Sequence, residues 1–320
     1  MAGGTKAATK RENRTLWQNV RRACKRNWRL YLMLLPGILI LVFFKIGPVA
    51  AMIIAFQKFS AYKGILGSTF VGLKNFIKIF QDPYIPKVVR NTVILAALSI
   101  GISFPIPVIF ALFLNEIRNS KIHGFVQSLS FLPYFISSAV MVSILAMIMN
   151  PNTGIVNNFI RAFGDQPIDF MAKASWFRFL YVLLEVWQTF GYSAIIYIAA
   201  MTNISPELYE AAEVDGANRW DKMFKITLPE ISTTLITMLI ISVGNIFTVN
   251  LDRILLMYNQ STYETADVIQ TYVYRIGFES KGFPDYSYGA AVNILKSIIA
   301  YILVLIVNKL ADKYAETRMF

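Results

Sequence analysis

Eight polar side chains interrupt runs that are otherwise apolar. Tyr134, Ser137 and Ser138 lie midway along one run, Glu185, Gln188 and Thr189 in another, and Ser242 and Asn245 midway along a third. Polar groups surrounded by lipid are costly, so they face a cavity or a neighbouring helix. Together these offer hydroxyl and amide donors and acceptors, one carboxylate, and an aromatic face at Tyr134 or Trp187. That set suits a polyhydroxylated ligand such as a sugar. Ser137, Ser138 and Ser242 suit helix-to-helix packing equally well. For Lys45 and the Asp252-Arg253 pair, structural pairing is the preferred reading.

Other chemistries are excluded. Cys24 is the only cysteine, so no disulfide forms within the chain, and His123 is the only histidine, so a Cys/His zinc site is ruled out. No G-x4-G-K-[S/T] phosphate loop occurs, and the chain does not hydrolyse ATP by that route. No catalytic residue and no metal ligand is assigned. The net charge of +12 raises nucleic acid, but nine of the 31 Lys and Arg fall between Lys6 and Arg29, ahead of any long apolar run. Residues 1–29 therefore read as a basic cytoplasmic arm beside anionic lipid, either a helix lying along the headgroups or a disordered tail, with no nucleic-acid partner.

The elements that must position these groups follow from composition. Of 320 residues, 56% are hydrophobic and 16% charged, with mean hydropathy +0.50, so lipid is the main solvent. Six stretches reach the length of a spanning helix, near 30–57, 91–114, 125–149, 178–200, 231–257 and 287–308. The first is too long for a cleaved signal peptide and reads as an anchor. The chain is thus expected to be an all-α integral membrane protein with one transmembrane domain over 30–320. Connections then alternate sides, with 17 Lys and Arg on the side of both termini and 11 on the other. That bias predicts cytoplasmic termini. With alternating directions, the eight polar residues fall at similar depth. Between the third and fourth spans, Pro151, Gly154, Gly164 and Pro167 predict short interfacial helices without a separate domain.

The connection over residues 203–230 is neither apolar enough to span nor short enough for a turn. Ser205 suits an N-cap, Pro206 the first helical position, and Glu207 the first turn, where the helix dipole favours an acid. A helix is predicted from Pro206, ended or bent at Gly216, with a second piece from Arg219 to Ile226 before Pro229 opens the next span. Residues 205–221 hold Glu207, Glu210, Glu213, Asp215 and Asp221 against Arg219 alone. Acids on a side rich in anionic lipid suggest a docking helix for a basic partner. A solvated amphipathic turn is the plainer alternative.

The pattern E-A-A-x3-G-x9-I-x-L-P, at Glu210, Ala211, Ala212, Gly216, Ile226, Leu228 and Pro229, resembles the cytoplasmic signature of binding-protein-dependent ABC permeases. Its seven fixed positions coincide by chance at about 10⁻⁸ per starting point. The resemblance runs from Leu30 onward. LPGILILVFFKIGPVAAMIIAFQKF, FALFLNEI and QSLSFLPYFIS look like the sugar-permease branch, and Phe44-Lys45, Leu114-Asn115-Glu116 and TYETADVIQTYVYR like the subgroup importing oligosaccharides cut from polysaccharides. Where many sugar permeases carry Gly-Gly-Pro after the fifth span, this chain has Tyr258-Asn259-Gln260-Ser261, which leaves the sugar open.

The resemblance implies a type I ABC importer permease fold in the bacterial inner membrane. The implied partners are a second permease of different sequence, two cytoplasmic ATPase subunits, an extracytoplasmic solute-binding protein, an oligosaccharide and lipid. ATP and magnesium are used by the ATPase partners, and this chain binds no cofactor. Glu207, Glu210, Ala211, Ala212, Asp215, Gly216, Leu228 and Pro229 become the implied ATPase-coupling residues, and Glu185 either holds a sugar hydroxyl or pairs with the second permease. A secondary transporter should show an inverted repeat, which is not evident, and would leave the acidic loop without purpose. A membrane metalloenzyme needs His, Asp and Glu clustered at one face, which the sequence lacks.

Overall fold

A computed structural model describes residues 27–245, 247, 249–279 and 284–315. The basic arm, except for its last residues, lies outside the described residues. The first span, α1 (Trp28–Phe56), leads to a two-stranded antiparallel ribbon in which Gln57 and Lys58 pair with Phe70 and Thr69. A short amphipathic helix, α2 (Lys74–Gln81), precedes the second span, α3 (Ile85–Asn115). Next come α4 (Ser120–Phe135) and α5 (Ser138–Ile148), then α6 (Ile155–Ala162), a short helix in the segment of glycines and prolines. The longest uninterrupted inner helix is α7 (Ala174–Met201). The motif connection holds α8 (Pro206–Val214) and α9 (Arg219–Glu230), followed by α10 (Ser232–Gly244) and α11 (Leu251–Met257). Two short helices, α12 (Tyr263–Ala266) and α13 (Ile269–Tyr274), lead to the last span, α14 (Tyr286–Ala315), apolar as far as Lys309.

Four of the six expected spans, α1, α3, α7 and α14, are single helices, and the other two are broken. The third, expected over 125–149, turns by 100° between α4 and α5. Ile136 and Ser137 are extended there, and Ser137 restarts the helix as its N-cap, accepting the Val140 N–H at 3.4 Å. The fifth, expected over 231–257, ends at Gly244; Asn250 caps the separate α11 by accepting the Arg253 N–H at 3.0 Å. Pro229 does not open that span either. It lies inside α9, and a 61° bend follows it.

Three wide π-type turns, Val42–Ile46, Ser99–Ser103 and Met223–Thr227, each sit one residue ahead of the turn that carries Pro48, Pro105 or Pro229. A proline inside a helix lacks an N–H and crowds the carbonyl four residues back. Widening the preceding turn relieves that conflict without breaking the helix.

Packing centres on α7. Its Phe177, Leu180, Tyr181 and Leu184 join Leu95, Met141, Leu145, Ile254 and Met257 in one cluster, and its Ala194, Tyr197 and Met201 join Val108, Ala111, Met223 and Ile231 in a second. Gly191 lets α4 approach: a Cβ there would fall 2.1 Å from the Ser130 carbonyl oxygen. A third cluster, with Ala55, Ile79, Val88, Ile269 and Tyr288, ties α14 to the segments at its N-terminal end. There Asp82 accepts hydrogen bonds from the hydroxyls of Tyr272 and Tyr288, the latter at 2.8 Å, and from the Tyr84 N–H at 2.9 Å. Burial alone would raise the Asp82 pKa, but these bonds and the Lys78 charge hold it below its ordinary 3.8. Burial and the bond to Asp82 push the Tyr272 hydroxyl up to about 12. Close by, the fully buried Asp267 accepts from Arg275 at 2.6 Å and from Thr271 at 2.7 Å.

Candidate functional site

Two features stand out, one beyond the C-terminal end of α7 and one beside its middle turns. The first is the motif connection. Ser205 Oγ accepts the Glu207 N–H at 3.3 Å, and Pro206 occupies the first turn, as the sequence predicts. At the other end Gly216 has φ 83°. The Ala217 N–H donates to the Ala212 carbonyl at 2.9 Å and the Gly216 N–H to that of Glu213 at 3.1 Å, the paired closure of a Schellman motif. Asn218 and Asp221 then cap α9 reciprocally. The Tyr209 hydroxyl lies 2.9 Å from Thr227 Oγ1, and Glu213 pairs with Lys222, so α8 is held against α9. That ion pair keeps Glu213 below the usual carboxylate range, and Lys225 does the same to Asp221.

Glu207, Glu210, Ala211, Asp215 and Gly216 are exposed, and Ala212 is half-buried. No described cation pairs with Glu207, Glu210 or Asp215. Beside them Leu208, Val214, Trp220 and Phe224 are also exposed, with Trp220 stacked on Phe224 at 6.0 Å. Leu228 instead packs inward against the second cluster, while Pro229 is exposed on α9. The surface thus presents acids around apolar side chains on a helix closed at both ends.

The second feature is a cavity of about 330 Å³ between α3, α7 and α10. It brings together Glu185, Thr189, Ser242 and Asn245 of the eight residues singled out, and adds Ser99, Ser103, Tyr181 and Ser193. Glu185 accepts the Ser99 hydroxyl at 2.6 Å. Thr189, Ser242 and Asn245 each donate to a carbonyl one turn back, at 2.8, 2.8 and 3.1 Å, which leaves their oxygens able to accept further bonds. Ser103 Oγ is buried without a partner.

Tyr134, Ser137, Ser138 and Gln188 do not line this cavity. Tyr134 stacks on Tyr192 with centroids 4.0 Å apart, and Ser138 Oγ accepts from Asn250 at 3.2 Å. Gln188 donates to the Ile136 carbonyl at 2.8 Å and accepts from Arg253, so it braces the broken third span rather than offering a free amide. Arg253 pairs in this way, and through the Tyr181 ring at 5.3 Å, rather than with Asp252. Lys45 and Asp252 form no ion pair among the described residues. Sequence reasoning missed Ser99 and Ser103, although two serines four apart inside an apolar run were the available signal. Among the described residues no group of three His, Cys, Asp or Glu could hold a metal ion.

Residues 86–316 match the family described as binding-protein-dependent transport system inner membrane component. The chain belongs to this family. It is a multi-pass permease component of an ABC importer in the inner membrane. This permease is 40% identical over 291 residues to the polygalacturonan/rhamnogalacturonan transport system permease protein YteP of Bacillus subtilis (strain 168), covering 91% of this chain and 90% of that one. A chain of the crystal structure of a bacterial ABC transporter involved in import of the acidic polysaccharide alginate matches it with TM-score 0.84 and 34% identity, over 93% of this permease and 99% of that chain. The same TM-score of 0.84 and identity of 34% hold for the alginate transporter in complex with its alginate pentasaccharide-bound periplasmic protein, over 95% and 99% of the two chains.

Proposed function

We propose that this permease forms one half of a path for an oligosaccharide handed over by an extracytoplasmic binding protein, and that α8 transmits movement from cytoplasmic ATPases. The observation that carries this reading is the doubly closed, acid-rimmed α8 at the far end of α7 from the outer loops. A helix that passes force needs fixed ends and a grip. The Schellman closure and the capping of α9 fix the ends, and exposed Glu210, with Glu207 and Asp215, offers unpaired carboxylates to a basic surface. Ala211 and Ala212 allow close approach, and Leu228, next to Pro229 ahead of the bend, carries the movement into α10 through the second cluster.

In this reading both termini and the motif connection are cytoplasmic. The complex comprises a second permease of different sequence and two ATPase subunits, which bind ATP and magnesium; this chain holds no cofactor. The cavity around Glu185, Ser99, Thr189 and Asn245 contributes hydroxyl-directed contacts along the path. Relatives and structural neighbours that carry polysaccharide fragments support an oligosaccharide as cargo.

The test is substrate-stimulated ATPase activity and uptake in the same proteoliposomes. Glu210→Lys is expected to abolish most uptake without loss of membrane insertion, and Glu210→Ala to act more mildly. Gly216→Val should also impair coupling, because a side chain at positive φ costs roughly 1 kcal/mol. Normal values for Glu210→Lys and Gly216→Val would overturn the coupling role. Cysteine at 213 labelled from outside, with one at 161 shielded, would overturn the sidedness.

A further inference from the structure

A second recess, of about 870 Å³, opens where the N-terminal turns of α3 and α7 meet the segment after α11. Lys87, Arg90 and Asn91 line it from α3, Arg178 from α7, and Tyr263 and Glu264 from α12. Three cations therefore face one carboxylate, and no ion pair joins any of the three to an acid among the described residues. Arg178 is held in place: one of its Nη atoms donates to Asn91 Oδ1 at 2.9 Å. Asn91 is itself anchored by donating to the Glu264 and Asp267 carbonyls at 2.9 and 3.0 Å. The Nε of Arg178 is buried with no acceptor. Lys87 lies with its ammonium 5.2 Å over the Tyr84 ring, and Arg90 is exposed.

Like charges converging on one recess repel, and a buried guanidinium N–H without an acceptor is costly. An anion placed between them removes both penalties. A guanidinium presents a planar fork that fits a carboxylate, and Arg90 and Arg178 supply two such forks. The remaining lining, from Gln260, Ser261 and Tyr263, provides amide, hydroxyl and aromatic groups suited to sugar hydroxyls and ring faces. A recess of this volume fits a sugar residue with its neighbour better than a flat protein contact, whose core is poor in charge.

We propose that this recess is an outer-face subsite for the carboxylates of an anionic oligosaccharide, built of uronate-type units. The proposal rests on the transport reading and the sidedness given above, and it narrows the cargo to an acidic one. Neutral sugars would gain little from three unpaired cations, whereas a polyanion is drawn to them from solution and oriented on arrival.

The test uses the complete importer in nanodiscs of zwitterionic lipid, with trigalacturonate, an alginate trisaccharide and the methyl ester of trigalacturonate as probes. Both anionic probes should bind and weaken as salt rises, and the uncharged ester should bind at least tenfold more weakly. Lys87→Gln with Arg90→Gln should lose about tenfold for the acids and leave the ester unchanged. Arg178→Gln should do the same, and Arg178→Lys, which keeps the charge, should recover part of the loss. Equal loss for acid and ester, or no effect of either pair of variants, overturns the proposal. So does displacement of bound anionic phospholipid as the only response, which would make the recess a lipid site. ATP-driven uptake of a neutral oligosaccharide by an importer that binds neither acid would sink this proposal while leaving the transport reading intact. Charge-dependent binding without ATP-driven uptake of any oligosaccharide would do the reverse.

Discussion

Single residues at the N-terminal end of α14 decide how firmly the segments packed against it are held. Asp82 joins α2 to α13 and α14 through two tyrosine hydroxyls and a backbone N–H. Because its pKa is lowered in the folded chain, its contribution is complete above the unfolded value and lost as pH falls through the lower folded one. Thermal stability of the purified protein should therefore hold steady from neutral pH down to about 5 and decline below the ordinary carboxylate range. Asp82→Asn should lower the neutral-pH midpoint, through loss of charge-assisted bonds worth of order 1–3 kcal/mol, and flatten the acid limb of the curve. A variant whose pH profile matches the wild type would show that the carboxylate is not the anchor.

At the scale of elements, close approach and local breaks matter more than length. At Gly191 any side chain meets the Ser130 backbone, with the Ser130 carbonyl carbon 2.4 Å from a built Cβ. Gly191→Ala should push α4 off α7 and cost about 1–3 kcal/mol, read as a lower unfolding midpoint in detergent. Gly37→Ala, in open surroundings on α1, serves as the comparison and should change little. Equal midpoints for the two would remove the packing argument. Apolar length made α1, α3, α7 and α14 legible in the sequence, and local capping chemistry made α8 and its glycine closure legible too. The breaks at Ile136 and after Gly244 were not. Both lie inside runs apolar enough on average to pass for single spans, despite Pro133, Ser137 and Ser138 in one and Asn245, Thr248 and Asn250 in the other. The groups freed at each break are satisfied from afar: Gln188 and Arg253 for the first, Tyr181 for the N–H of Asn250. The candidate cavity was half legible for the same reason. Glu185, Thr189, Ser242 and Asn245 share a depth and a facing direction, whereas Gln188 and Tyr134 share only the depth. Their direction is set by contacts no local spacing reveals.

For the molecule as a whole, burial is unevenly shared among the spans. Only 6% of the most apolar window of α1 is buried against the rest of the chain, compared with 33% for α7, which is the least apolar of the four continuous spans. That contrast bears on biosynthesis. A helix leaving the ribosome partitions into lipid on its own apolar surface, and a charge near its centre opposes this by about 2.5–3.5 kcal/mol. α1 carries its own means of staying in the bilayer. α7 brings Glu185, Gln188 and Thr189 to its middle turns, and Ser99 on α3 and Arg253 on α11 answer two of them. Its insertion should therefore depend on helices made earlier, with α3 as the first available partner. Fused alone into a host protein whose glycosylation reports crossing, 174–201 should span poorly, whereas 85–201 should place the same helix across the membrane. Equal crossing by α7 alone and by α1 alone would break the link between burial and order of assembly. The least lipid-like span, around which the bundle packs, would then be the one that the nascent chain has to hold in place until its neighbours are present.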